Sequence, residues 1–452
     1  MKTLDASAHR RNWFDAEQDK LAFYLERPAV FSPAGAAQNA ANQSRMLRRW
    51  GVMWQPWEYS GWLEEGRSFH DAAYIGDWTG IDKVRITGPD ALSYLQYLGT
   101  NDLSNFAIGR MKHAVQVDEN GQIAAQGVLY RLAEEEFVLT GVTSPRVYHL
   151  QDRARWNAEV SYVTPDIFLF SIQGPRSRDI LEGAFGLDLK ELKFNRYENF
   201  SFGGVELRIL RTGVSGALGF EVHGPSSHGD AVWAKIVETG RPLGIKELGL
   251  RAQLVSHVEA GIATNGLDFY TVPTKVDGVP QFVGMGPASE QLIGSHRIAH
   301  PSELYRSPAE LGWFTQVSLD THDFIGRDAL IAQRDAGGPA RRLVGLMWNQ
   351  QDVIDIFASL FADDVLPPME LPRYVGIELN SVMQGGNQIG TTTSRTYSPF
   401  MRKMISLGHI DSGKIEPGGQ VSVLWGNPDG PQHEVRAEMV ELPFKRDTRR
   451  EA

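Results

Sequence analysis

Glu221 stands in the run Phe220-Glu221-Val222-His223, with apolar neighbours on both sides. Just before it, Val205, Leu207 and Ile209 alternate with Glu206, Arg208 and Leu210, which predicts a strand with a buried face; Phe220 to His223 predicts a second. Gly213, Gly216 and Gly219 hold open the turn between them. A carboxylate inside such a segment is costly unless something pairs with it. Two partners meet that demand: an Arg or Lys in a salt bridge, or a ligand offering two parallel N–H donors, as a pterin or guanine ring does. The glycine spacing imitates a dinucleotide fingerprint, but a strand follows these glycines, and a phosphate site requires a helix N-terminus. No Walker sequence or HExxH is present and the 12 histidines are scattered, so metal chemistry is not expected.

The elements that must position Glu221 follow a repeated local plan. Lys83 to Ile86 is a predicted strand, followed by Gly88-Pro89 and a helix through Leu92, Leu95 and Leu98. Ile167 to Ile172 is another, followed by Gly174-Pro175 and a helix through Ile180 and Leu181, with each Pro expected at the first helical position. Strand, Gly-Pro, helix and hairpin, twice over, predict two α+β units of ferredoxin-like type. The first hairpin turns at Asp118-Glu119-Asn120-Gly121; the second is the Glu221 stretch, followed by a helix over Asp230–Thr239 that stops at Gly240. Residues 262–320 are Gly/Pro-rich and weakly periodic, which suits a long functional connection. Short strands between Pro/Gly turns then run to the end and predict a β-rich third domain.

A chain of 452 residues calls for two or three domains. The formal charge of −10 argues against nucleic acid or an anionic membrane as partner. With no cysteine, disulfides, thiolate nucleophiles and iron–sulfur ligation are all removed. The N-terminus has no apolar signal region and no run reaches membrane-spanning length, so a cytoplasmic location is expected. Residues 1–50 are expected to form a solvated extension or a lid. The rings of Trp54, Trp57 and Tyr59, around Pro56, either pack a core or wall a pocket for a flat ligand.

Arg211 to Glu221 resembles the RTGYTGEDGFE signature of the glycine-cleavage T-protein (aminomethyltransferase) family. Four further segments agree in order: Leu98-Gly99-Thr100-Asn101-Asp102 with "LxTND", Gln173-Gly174-Pro175 with "QGP", Phe324 to Leu330 with "FIGRxAL", and Thr393 to Pro399 with "TSGxxSP". The resemblance runs from about residue 60 to 430. It implies an α+β cloverleaf of two ferredoxin-like units and a C-terminal β-barrel, with tetrahydrofolate in the central hole. The expected domains are 1–63 with 164–300 (folate-binding), 64–163 (second α+β unit), and 301–452 (connection and barrel). Glu221 is implied to bind the pterin, with Gln126, Arg211, Val214, Ser215, Trp348, Arg395 and Tyr397 as further cofactor contacts. Trp54, Trp57, Tyr59 and Gln253 are expected on the substrate.

The departures from the family pattern bear on the reaction. The Asp-Asp pair after the family's first hairpin turn is replaced here by Ala125 and Gln126. The family's "ARDSLRLEAG" helix appears as Ala252 to Gly261, with Gln253 and His257 where its two arginines stand. These losses argue against processing of lipoyl-bound aminomethyl groups. The segments Leu132 to Phe137, His322 to Leu330, Ala358 to Phe361 and Val423 to Gly426 are similar to the tetrahydrofolate-dependent aryl O-demethylases that act on vanillate and syringate. A basic His and an Arg used on vanillate in that branch fall near Thr79 and Val142 here, and both are absent. The resemblance implies a small aromatic ether as donor and Tyr270 as the group assisting methyl transfer, with His257 and His113 as second candidates.

Ether cleavage fits these parts. Holding N5 of tetrahydrofolate and the methyl carbon in near-attack geometry contributes up to roughly 7–11 kcal/mol. A donor to the leaving oxygen contributes about 10²–10⁴-fold, and a Tyr with its ordinary pKa of about 10 suits that role. The alternatives are demethylenation of a methylenedioxy ring, demethylation of a sulfonium or amine, aminomethyl transfer, or a non-catalytic folate-binding protein. The chain is expected to act as a monomer or homo-oligomer.

Overall fold

The Gly-Pro turns show how the two α+β units begin. The computed structural model describes residues 30–50, 53–141, 146–147, 150, 152, 154–273, 292–371 and 376–451. At Gly88 and Gly174 the backbone turns with φ of 114° and 130°, and a Cβ would come within 2.6 Å of the Asn157 carbonyl and 2.5 Å of the Ala72 carbonyl. The amides of Ala91 and Ser177 close each turn onto the glycine carbonyl three residues back, with Pro at the position whose φ it pre-sets. The helices therefore begin at Ala91 and Ser177, and Pro89 and Pro175 lie in the turn before the cap, not at the first helical position.

The first unit is a six-stranded sheet in the order Tyr197–Phe202, Val205–Leu210, Gly219–Pro225, Ile167–Gln173, Ala73–Asp77, Ile245–Glu247. Helices Ser177–Phe185 and Gly229–Gly240 cover one face, burying Ile180, Val232, Trp233 and Ile236 against Phe168, Phe170, Phe220 and Val222. Ala73–Asp77 was expected in the second unit, which the sequence division started at residue 64. It is buried at every position and pairs with Ile167–Gln173 on one side and Ile245–Glu247 on the other. Those partners are far away in sequence, so no local pattern assigns the strand to its sheet.

Residues 30–50 likewise differ from a solvated extension. Val30–Phe31 pairs with Met53–Pro56, and helix Gly35–Ala41 lays Ala37 and Ala41 on the first core. Gln38 Nε2 donates to Asp77 Oδ2 at 2.7 Å, tying this helix to the sheet. Residues 1–29 lie outside the described residues.

The second unit is a five-stranded sheet in the order Met111–Val117, Ile123–Ala133, Glu136–Thr140, Lys83–Thr87, Glu159–Tyr162. Helix Ala91–Leu98 covers one face, with Tyr94, Leu95 and Leu98 against Val84, Ile86, Leu129 and Leu139. The connection beyond residue 262 is built from turns and short 3-10 segments, with 274–291 outside the described residues. Six strands from Arg341–Trp348 to Gln432–Val440 then close a barrel. The protein is thus an α+β cloverleaf with a C-terminal β-barrel. No helix among the described residues is long and apolar enough to cross a membrane.

Candidate active site

The uncovered face of the first sheet carries Glu221. Side chains alternate along Gly219–Pro225, so Phe220 and Val222 enter the helix-covered core while Glu221 and His223 point to the other face. The register sets Glu221 opposite Ser171 on one neighbour and Leu210 on the other. Glu221 Oε2 lies 3.1 Å from His223 Nε2; its Oε1 has no hydrogen-bond partner among the described residues. Tyr74, across from Gln173, brings its hydroxyl beside Ser171, Ser215, Ser256 and the Glu221 charge. That hydroxyl is buried and makes no hydrogen bond among the described residues. Burial, reinforced by Glu221, pushes it far above the usual phenol range, so it stays a protonated donor.

The glycine loop supports this arrangement through Gln173. Gln173 packs between Gly213 and Gly219, where a Cβ would come within 1.9 Å and 2.5 Å of its amide. Its Nε2 donates to Ser171 Oγ at 2.9 Å and to the Thr212 carbonyl at 3.1 Å, while its Oε1 accepts from Ser215 Oγ at 3.0 Å. Ser215 is therefore engaged in holding the loop, and Val214 packs beside Tyr74, Trp78 and Ala252.

The second sheet presents its uncovered face alongside. Met111 opposes Tyr130, His113 opposes Val128 and Val115 opposes Gln126, so Tyr130, Gln126 and His113 share one face. Gln126 and Tyr130 are four positions apart, a span of roughly 13 Å along the strand. At one end the Tyr130 ring meets the His223 ring edge-on at 5.9 Å, and Leu210 packs against it. At the other, His113 Nε2 lies 2.9 Å from Gln126 Oε1, and the His113 ring stands edge-on to Trp313 at 4.7 Å. Burial lowers the His113 pKa and keeps the imidazole neutral. Ala125 opposes Gln116 on the opposite side of the strand. Of the two positions where the family has acids, only Gln126 faces the site, and it brings a neutral amide.

Helix Leu250–Glu259 and the start of the connection add His257 and Asp268. Gln253 and His257 are one turn apart and share a helix face. His257 Nε2 is 3.3 Å from Asp268 Oδ2. The wholly buried Asp268 also accepts from the Thr264 amide and, across the domain boundary, from the barrel hydroxyls of Thr393 and Ser394. Tyr270, two residues on, is fully buried among Leu304, Ile377 and Leu379.

Other expected contacts are not brought together with Glu221. Arg211 is buried with its guanidinium on the carbonyls of Leu192, Arg449 and Glu451, so it anchors the C-terminal tail. Trp348 is in the barrel core and donates its indole N–H to Ser406 Oγ at 2.9 Å. Arg395 forms a buried two-pronged pair with Glu378, at 2.7 and 3.1 Å, and donates to the Glu370 carbonyl; Tyr397 packs on the barrel core. Tyr59 is in the first core, on the opposite side of the sheet from Glu221. Trp57 lies under Arg48, and Trp54 is partly exposed on its strand. Thr79 caps the strand end onto Asp77, and Val142 lies outside the described residues.

Tyr74, Tyr130, His223, Asp268 and Trp313 escaped the sequence reading. For His223 the signal was present, since it stands two residues beyond Glu221 in a strand. For Tyr74 none existed, because its polar neighbours Ser171, Ser215, Glu221 and Ser256 come from segments about a hundred residues away or more. The donor set fits tetrahydrofolate: a half-buried carboxylate with one engaged oxygen and one available, next to unpartnered buried hydroxyls of Tyr74 and Tyr130, suits a flat ring bearing N–H donors.

Comparison with known proteins agrees. The family model described as the GCVT N-terminal domain matches residues 25–278, and that of the glycine cleavage T-protein C-terminal barrel domain matches 370–445. A sesamin methylene transferase of Sinomonas sp. (strain No.22) is 31% identical over 433 residues, covering 90% of this chain and 94% of the relative. A syringate O-demethylase of Sphingobium sp. (strain NBRC 103272 / SYK-6) is 29% identical over 417 residues, covering 86% and 89%. An aminomethyltransferase of Thermoanaerobacter pseudethanolicus (strain ATCC 33223 / 39E) is 26% identical, covering 82% and 87%. The crystal structure of glycine cleavage system aminomethyltransferase T from Bartonella henselae superposes with a TM-score of 0.70 at 20% identity, over 92% of this chain and 98% of that one. The chain belongs to the glycine-cleavage T-protein family of tetrahydrofolate-dependent one-carbon transferases.

Proposed function

We propose that this protein is a cytoplasmic demethylase that moves the methyl group of an aromatic methyl ether onto tetrahydrofolate, releasing a phenol. The observation that carries this reading is the neutral His113–Gln126 pair beside Trp313, on the face where the family's acid would stand, with Glu221 retained. When bound, tetrahydrofolate supplies the N5 lone pair that takes the one-carbon unit. Glu221 accepts the pterin N–H groups, and the buried Tyr74 and Tyr130 hydroxyls line the same face. The bond between the methyl carbon and the ether oxygen breaks with its electron pair on oxygen, and a phenol leaves once a proton reaches that oxygen. His257, oriented by Asp268, and Tyr270 are the groups assigned to that proton. Similarity to a syringate O-demethylase supports an aryl ether as donor.

A second reading takes the methylene of a methylenedioxy ring, favoured by the likeness to a methylene transferase. Incubation with tetrahydrofolate and a panel of methoxy- and methylenedioxy-aromatics separates the two. Demethylation yields 5-methyl-tetrahydrofolate and a phenol; 5,10-methylene-tetrahydrofolate with a catechol supports the second reading. Turnover of an aminomethyl donor alone would overturn both. On the ether, Tyr270→Phe and His257→Gln are each expected to lower kcat by about 10²-fold or more if they assist the leaving group; near-full activity in either variant removes that residue from the role.

A further inference from the structure

We propose that His223 is the positioning residue of the cofactor site, locking one oxygen of Glu221 so that the other faces the pterin; this rests on the reading of Glu221 as the pterin-binding carboxylate. The two side chains are two residues apart on one strand and share its uncovered face. His223 is 2% exposed against 13% for Glu221, so the carboxylate lies on the open side of the pair. Burial lowers the His223 pKa, and the charges of Lys83 and Arg208 act in the same direction against the attraction of Glu221. A neutral imidazole has one N–H, and an ionised carboxylate only accepts. The 3.1 Å contact therefore takes the proton on Nε2, leaving Nδ1 bare; Nδ1 has no hydrogen-bond partner among the described residues. The Tyr130 ring, edge-on at 5.9 Å, holds the imidazole from the second domain. An unheld carboxylate turns about its own side chain; one tied at Oε2 keeps Oε1 in the direction that a planar pair of N–H donors requires.

The test is equilibrium binding of 5-methyl-tetrahydrofolate to the full chain, with steady-state kinetics alongside. His223→Leu removes the donor and is expected to weaken binding 10- to 100-fold, raising the KM for tetrahydrofolate while kcat falls less than threefold. His223→Gln, which keeps an N–H near the Nε2 position, is expected to restore binding to within threefold of wild type. A His223→Leu protein that binds normally, or a His223→Gln protein as weak as His223→Leu, overturns the proposal. Histidine-selective ¹⁵N NMR of the wild-type protein, with His223→Gln for assignment, reads the tautomer without depending on the Leu variant folding. A protonated Nε2 with bare Nδ1, kept on cofactor binding, is expected; the opposite tautomer overturns the proposal. Glu221→Gln tests the underlying reading separately, because unchanged binding there would remove the carboxylate itself from the site.

Discussion

At the scale of single residues, the buried charges divide into those that await a ligand and those that are already matched. Glu221 has only a histidine as partner and one oxygen available among the described residues. Glu221→Ala is therefore expected to abolish folate binding, by about 100-fold or more, since hydrogen bonds to a charge contribute roughly 1.5–3 kcal/mol each and two are lost. Titration of binding alongside circular dichroism checks this; normal affinity in a folded variant contradicts it. Arg395 is the contrasting case. Its sequence position predicted a cofactor contact, yet Glu378 and the Glu370 carbonyl hold its guanidinium. Glu378→Gln leaves that buried cation underpaired and is expected to destabilise the protein by about 3–5 kcal/mol in chemical denaturation. Its affinity for folate should stay unchanged.

At the scale of elements, the signature glycines act through packing. The loop from Thr212 to Gly219 closes around Gln173, which reaches Ser171, Ser215 and the Thr212 carbonyl at once. Gly213→Ala places a methyl against that amide and is expected to cost about 1–3 kcal/mol. The same substitution in a Gln173→Ala background should lose most of its penalty, because the clashing atoms are gone. Additive effects in a double-mutant cycle would contradict this. The local plan of strand, Gly-Pro turn, helix and hairpin was legible because each step is set by neighbours within a few residues. Membership of Ala73–Asp77 in the first sheet was not, since its apolar run suits any buried strand.

At the scale of the whole molecule, a buried seam joins the first domain to the barrel. Glu259, at the end of helix Leu250–Glu259, takes His70 Nε2 at 2.7 Å and Ser398 Oγ at 2.6 Å, while His70 stacks on Phe400. Lys445 Nζ stands 3.8 Å from Glu259 and 4.0 Å over the Phe69 ring. Burial depresses its ammonium from 10.5 to about 8. Between those pH values the unfolded chain holds a proton that the folded one has released, so this group's contribution to stability rises as pH increases. The stability of wild type relative to Lys445→Met should therefore climb by roughly 3 kcal/mol between pH 8 and 10.5, read from urea unfolding at each pH. A flat difference would show that Lys445 is solvated.

The order of motifs determined the family, the three-part architecture and the place of Glu221, because glycine turns, alternating strands and a carboxylate between apolar residues are constraints written within short stretches. The loss of acids at Ala125 and Gln126 was equally plain in the chain itself. Only the tertiary structure decided which of those two positions faces the site, that Arg211, Trp348 and Arg395 are held by the protein, that Tyr74 and Tyr130 stand beside Glu221, and that Asp268 meets His257. Side-chain partners of that kind come from strands and helices tens to hundreds of residues apart. Their meeting depends on register and sheet order, which no local spacing encodes.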